Sequence, residues 1–255
     1  VVTGYMLKDQ FGFDVSNVDI ALIGQYSENQ FNGMNCGIMD QFASVFGKKG
    51  SLIRLNCKTL EYKYFPFDPV QAGYKLVLVD SCVKHELASS AYNKRRQSCE
   101  NVCAAIRKNH SDVEFLSDAK RVWLEEVRDL VPEEDFLRAE YVIGEVQRVL
   151  DVCDALERGD YETVGEMMYQ THFGLSRLYE VSCAELDFLN QLARKCDVTG
   201  SRVMGGGFGG CTINLVKEEF YDNFINTAIE KFSEKFGHAP KIYDVVISDG
   251  ARKLE

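Results

Sequence analysis

The chain has 255 residues, 45% of them hydrophobic and 27% charged, with 29 basic against 39 acidic side chains and a net charge of −10. That length fits one large domain or two modest ones, and the apolar share is ample for a core. The acidic balance argues against broad nucleic-acid binding, which rests on neutralising many phosphates. The longest apolar runs, such as Leu76–Val79, fall far short of the roughly 20 residues a membrane span needs. The chain is therefore expected to be soluble and cytoplasmic, with no nucleic-acid or membrane partner.

Nine cysteines, an odd number at irregular spacing, fit reduced thiols better than a disulfide framework. Cys99 and Cys103 stand four apart and would share a helix face. With no second Cys/His pair at ligand spacing, they read as small core residues rather than a metal pair.

In chain order, "VVTGYMLKDQFGF" has no initiator Met, no basic region and no cleavage site, so it is not a signal peptide. It reads like the middle of a helix, as though the chain began inside a longer protein. Residues 19–31 carry apolar groups at helical spacing. A second helix is expected to begin within "IMDQFASVFG" and to end at Gly47 or Gly50. "SLIRLNC" and "LEYKYFPF" alternate as half-buried strands do, and Pro, Asp and Gly in "FDPVQAGY" place a domain junction near residue 70. "YKLVLVDSC" reads as a strand buried on both faces. Residues 93–110 form an amphipathic helix, and Ser111 with Glu114 fits a capping box for a short one. Pro132 and Gly159 bracket a helix over 133–157 whose buried side is expected to carry Phe136, Ile143, Val146, Val149, Leu150 and Cys153. Helices over 160–173 and 183–196 follow, then strands at 201–204 and 211–216, a helix over 218–236 and a strand at 241–247. The mix is α+β, without repeats.

Three stretches carry possible chemistry. "GMNCGIMDQF" (33–42) sets Asp40 among glycines and apolar side chains, where burial of a charge is costly. Two readings stand: a helix N-cap, or a partly desolvated carboxylate on a glycine loop that accepts or orients a substrate hydroxyl proton. "RVMGGGFGGCTINLV" (202–216) spends five glycines between two strands. Two suffice for a tight turn, and the rest cost chain entropy, so the loop is read as backbone that another molecule approaches. The pattern is neither a P-loop nor a dinucleotide-binding fingerprint. In "DSCVKHELASSAYNKRR" (80–96) a strand exits into His85, Tyr92 and a basic cluster. The cluster reads as solvated helix turns, and Tyr92 and His85 each fit a structural or a ligand role.

Taken together, "CGIMDQF", "HELASSAYNKRRQSCE", "LYEVSCAELDFL" and "GSRVMGGGFGGCTINLV", in this order and at these intervals, resemble the galactokinases among the GHMP sugar and isoprenoid kinases. The glycine run is shared with other GHMP kinases, whereas "GIMDQ" with "LASSAY" and "YEVSC-ELD" is more specific, and the resemblance runs over essentially the whole chain. It implies a two-domain α+β GHMP kinase fold: residues 1–70 the remaining C-terminal part of the N-terminal domain, residues 71–255 the complete C-terminal domain, and the active site in the cleft between them. It also implies transfer of the γ-phosphate of ATP to the C1 hydroxyl of α-D-galactose, with Mg²⁺. The family's catalytic aspartate falls on Asp40 and its sugar-loop glycine on Gly37. Its sugar-contacting tyrosine falls on Tyr92, and Gly205, Gly206, Gly207 and Gly209 belong to the loop that closes over the site near the nucleotide. No metal ligand is assigned within the chain. An N-acetylgalactosamine kinase and a non-catalytic galactose- and ATP-binding sensor are the competing readings. The family's N-terminal sugar signature, with its arginine, and its Gly-Ser-rich phosphate loop do not occur in these residues, so the chain is expected to be an incomplete, inactive portion on its own. "RAEYVIGE" carries Glu140 and Tyr141 where many relatives have Arg-His.

Overall fold

Local signals set the elements. The computed structural model describes residues 1–33, 36–84 and 88–253, without the side chains of 88–90. Helix α1 (Val2–Phe11) stops at Gly12, whose φ of 65° is a left-handed conformation that glycine adopts freely. Ser16 caps α2 (Asn17–Gln30) in a complete capping box with Asp19. Helix α3 (Met39–Phe46) is followed by the antiparallel hairpin of β1 (Ser51–Leu55) and β2 (Tyr62–Pro66), with Ser51 opposite Pro66.

Then come β3 (Tyr74–Asp80), α4 (Ala88–Arg107), the short α5 (Arg121–Glu125), α6 (Glu133–Glu157), α7 (Tyr161–Arg177) and α8 (Ala184–Lys195). Strands β4 (Gly200–Val203) and β5 (Cys211–Lys217), helix α9 (Glu218–Phe236) and strand β6 (Lys241–Asp244) complete the chain order. Pro132 caps α6, and Gly159, at φ 68°, ends the turn after it.

The chain divides into two units, Val1–Asp68 with Val246–Glu255, and Pro69–Val245. In the first, Ile20, Ala21, Ile38, Phe42 and Val45 form the core. The tail packs here too. Gly250 N–H donates to Gly47 O at 2.7 Å, Ala251 N–H to Ser44 O at 2.7 Å, and Lys49 N–H to Asp249 Oδ1 at 2.8 Å. A Cβ on Gly250 would lie 2.6 Å from Val45 O, so only glycine lets the two backbones approach this closely.

The second unit holds an antiparallel sheet of order β4–β5–β3–β6, with Asp80 opposite Cys211 and Val77 opposite Asp244. Val77 and Val79 pack with Leu189 of α8 and Phe224 and Phe232 of α9. A second core joins Val102 and Ile106 of α4, Leu124 of α5 and Phe136 and Ala139 of α6. Helix α7 lies directly on β4, where a Cβ on Gly165 would sit 2.1 Å from Thr199 O. Among the described residues no helix is long and apolar enough to cross a membrane.

Five sequence expectations need correction. Strand β3 is not buried on both faces: Val77 and Val79 are fully buried but Leu76 and Leu78 only half so, the period-two burial of an antiparallel strand. Val146, Val149 and Leu150 of α6 are exposed, while Asp135, Arg138 and Ala139 are buried, because the first turns of α6 meet α4 and α5. No helix starts at Ser111. A 3-10 turn spans Leu116–Asp118, and Asp118 Oδ2 takes the backbone N–H groups of Glu114 and Phe115. The last strand ends at Asp244 rather than 247. Residues 246–253 join the first unit, whereas all of 71–255 was assigned to one domain.

Candidate functional site

Asp40 sits in the first turn of α3, and the cap position belongs to Ile38, with no side-chain cap bond. The N-cap reading of Asp40 is therefore not realised. Helical periodicity explains its greasy neighbours: Ile38, Phe42 and Val45 turn into the core, while Met39 and Asp40 face outward. The carboxylate is exposed, not desolvated as the second reading supposed, and no bond to it is formed among the described residues. It lies at the positive end of the helix dipole. Gly37, just upstream, has nothing within 4 Å of where a Cβ would be. Asn29 of α2 holds the approach to it, accepting Cys36 N–H at 3.0 Å, and Gln25 Nε2 donates to Cys36 O at 3.3 Å.

The other residues singled out lie on the second unit. The loop between β4 and β5 turns at Gly205 and Gly206. Gly205, Gly207, Gly209 and Gly210 take φ of 75°, 80°, 141° and 74°, and Phe208 takes 62° despite its side chain. Gly207 has a second reason to be glycine, since a Cβ there would lie 2.2 Å from Val181 O. Gly206 has neither, for its φ is ordinary and nothing lies within 4 Å. Among the described residues the N–H groups of the exposed Gly205 and Gly206 donate to no acceptor, so the loop presents two amide donors of the kind that cradle anions, whereas Gly209 is buried.

Three neighbours fix this loop. Phe208 N–H donates to Val181 O at 2.6 Å, Gly210 N–H donates to Val83 O at 3.3 Å, and Gly210 O accepts Ser81 Oγ at 2.7 Å. The Arg95 guanidinium of α4 covers the Phe208 ring at 5.4 Å. Tyr92, three residues earlier on α4, is 39% exposed. Burial, then the nearby Cys99, raises the Tyr179 pKa. The glycine loop thus borders the α7–α8 connection, residues 178–183, through the bond from Phe208 to Val181. His85 lies outside the described residues.

That connection was legible only as a motif, and its chemistry was missed. Arg95 donates from Nε to Tyr179 O at 3.0 Å and from Nη2 to Glu180 O at 2.6 Å. Arg138, 3% exposed on α6, donates to Ser98 Oγ and to Glu180 Oε2, both at 2.9 Å, and pairs with Glu134. Burial, then the nearby Arg138, lowers the Arg95 pKa, and Glu180 partly offsets this. Asp187 of α8 accepts Ser182 Oγ at 2.6 Å and Ser176 Oγ at 2.9 Å and lies 3.2 Å from the buried His172 Nε2. Burial alone would raise the Asp187 pKa, but bonds from His172, Ser182 and Ser176 bring it down to about 2.

Cys103 is buried and donates to Glu114 O at 3.3 Å, while Cys99 lies 3.9 Å from the Tyr179 hydroxyl. Burial pushes both thiols up, which suits core packing. Among the described residues no group of three or more His, Cys, Asp or Glu side chains is arranged to hold a metal ion.

The chain is similar to several known proteins. The family model described as GHMP kinases N terminal domain matches residues 1–48, and that described as GHMP kinases C terminal matches 153–235. A galactokinase of Clostridium acetobutylicum is 40% identical over 256 residues, covering 100% of this chain and 65% of that protein. One of Thermotoga maritima is 40% identical over 261 residues, covering 100% of this chain and 70% of that protein. The crystal structure of Lactococcus lactis galactokinase complexed with galactose superposes with a TM-score of 0.92 at 30% identity, over 98% of this chain and 64% of that one. Mevalonate kinase of L. major, at 18% identity and a TM-score of 0.57, shares the fold. The chain thus spans about two thirds of the length of its relatives, and it belongs to the galactokinase family of GHMP kinases.

Proposed function

We propose that the whole protein transfers the γ-phosphate of ATP to the C1 hydroxyl of α-D-galactose. The observation that carries this reading is 40% identity along the full chain to proteins named galactokinase, with Asp40, Tyr92, Gly205 and Gly206 each in an accessible position. Asp40 takes the C1 hydroxyl proton or holds it by a hydrogen bond, so that the oxygen is aimed at the phosphorus. Gly37 leaves room for the sugar beside that helix, and Tyr92 supplies a hydroxyl and a ring face to it. The free amides of Gly205 and Gly206 donate to phosphate oxygens, and Gly206 allows them close approach.

Positioning and charge neutralisation do most of the work in such transfers. Mg²⁺ brought in with ATP would offset the charge of the phosphates. Replacing Asp40 with Asn in the whole protein tests the role of the carboxylate. Galactose phosphorylation should fall by well over tenfold. Turnover within about tenfold of wild type, a barrier change of only ~1.4 kcal/mol, would remove Asp40 from the mechanism.

A further inference from the structure

We propose that Glu180 is a positioning residue for the glycine-rich loop, held in place by two arginines from different helices. Glu180 takes a φ of 54°, a left-handed conformation disfavoured for a residue with a side chain. Two ties hold it there. Arg138 Nη2 donates to its carboxylate at 2.9 Å, and Arg95 Nη2 donates to its carbonyl at 2.6 Å. Arg138 is fixed in turn by Ser98 and Glu134, so the carboxylate is gripped by a side chain that cannot swing away.

The next residue carries the consequence. Val181 N–H donates to Leu175 O at 2.9 Å, and Val181 O takes the Phe208 N–H at 2.6 Å and faces Gly207. The backbone rotation at Glu180 therefore sets where the Val181 carbonyl points, and that carbonyl holds Phe208 at its own left-handed φ of 62°. Arg95 closes the circuit by covering the Phe208 ring. Release of the carboxylate lets residue 180 relax to an ordinary φ, turns the Val181 carbonyl and frees the loop. Arg138 acts at a distance: among the described residues it bonds Glu180, Ser98 and Glu134, not residues 204–210.

The order of the loop follows from these bonds alone; its effect on turnover rests on the function proposed above. The test is amide hydrogen exchange on the full chain for wild type, Glu180→Gln and Arg138→Lys, with kinetics of the whole protein alongside. In Glu180→Gln, the Phe208 and Gly210 amides should exchange about tenfold faster or more, while those of Val77, Val79 and Leu215 keep their wild-type protection. Arg138→Lys, which keeps the charge, should fall between the two. In kinetics, kcat should drop about tenfold with the KM for sugar unchanged within about twofold, since the loop is assigned to the phosphates. Loop amides at wild-type rates in both variants would overturn the proposal. So would uniform acceleration across the core, which marks a purely structural cluster. If Glu180→Gln does not fold, Arg138→Lys decides on the same readout. A parent protein without kinase activity would refute the proposed function and leave the exchange result to judge the loop.

Discussion

Asp187 gathers hydrogen bonds from Ser176 and Ser182 and a contact from His172, and together they outweigh the cost of its partial burial. Its pKa of about 2 in the folded protein lies below the ordinary value of 3.8, so the native state gains stability from its ionised form. That gain is complete above about pH 4 and is lost as the pH falls from about 4 through about 2, because protonation then costs the native state more than the unfolded one. Asp187 is partly open to solvent, so screening reduces its contribution to about 1 kcal/mol. Acid unfolding followed by circular dichroism should show Asp187→Asn less stable than wild type at pH 7, with the gap closing near pH 2. A constant gap across that range would assign the effect to packing instead. Strain is concentrated nearby: Glu180 and Phe208 both occupy left-handed conformations at a cost of order 1–3 kcal/mol each, which the bonds around them must offset.

At the scale of elements, the glycine loop separates structural from functional glycines. Gly207 is bound by its φ of 80° and by the Val181 carbonyl, so Gly207→Ala should lose about 2 kcal/mol or more of stability. Gly206 has open space and an ordinary φ, so Gly206→Ala should fold with a stability change under about 0.5 kcal/mol. In the whole protein it should nevertheless weaken ATP binding by about tenfold, or 1.4 kcal/mol, because a methyl group would stand where phosphate approaches. Unchanged nucleotide affinity by calorimetry would mean that the opening at Gly206 serves no ligand.

Elements with local punctuation were legible in the sequence. Helix α9 begins at the acidic pair Glu218–Glu219 and ends before Gly237, and Pro132 and Gly159 bracket α6. What periodicity could not report was which stripe another element covers, and so Val146, Val149 and Leu150 were placed inside although they face out. The glycine run was visible because its composition is unusual. Its support was not, because Arg138 and Glu180 are 42 residues apart, and an ion pair across that separation leaves no local pattern.

At the scale of the molecule, the last residues return to brace the helix that carries Asp40. The tail makes backbone bonds to Gly47 and Ser44 and a side-chain bond to Lys49 N–H, each worth about 1 kcal/mol net. Ending the chain after Val245 should therefore raise amide exchange in α3 while leaving the core of β3, α8 and α9 protected. Unchanged protection in α3 would show that the tail is dispensable. Asp40 and Gly37 belong to one unit, and Tyr92 and the glycine loop to the other. A pocket built to satisfy the axial 4-hydroxyl of galactose leaves its buried partners unpaired when the equatorial epimer binds. The most direct measurement is phosphate transfer from labelled ATP by the whole protein, with galactose and glucose compared under identical conditions. Galactose 1-phosphate should be the product, with a kcat/KM for glucose lower by about 10⁴-fold. Absence of labelled galactose 1-phosphate, or equal labelling of the two sugars, would contradict the proposed function.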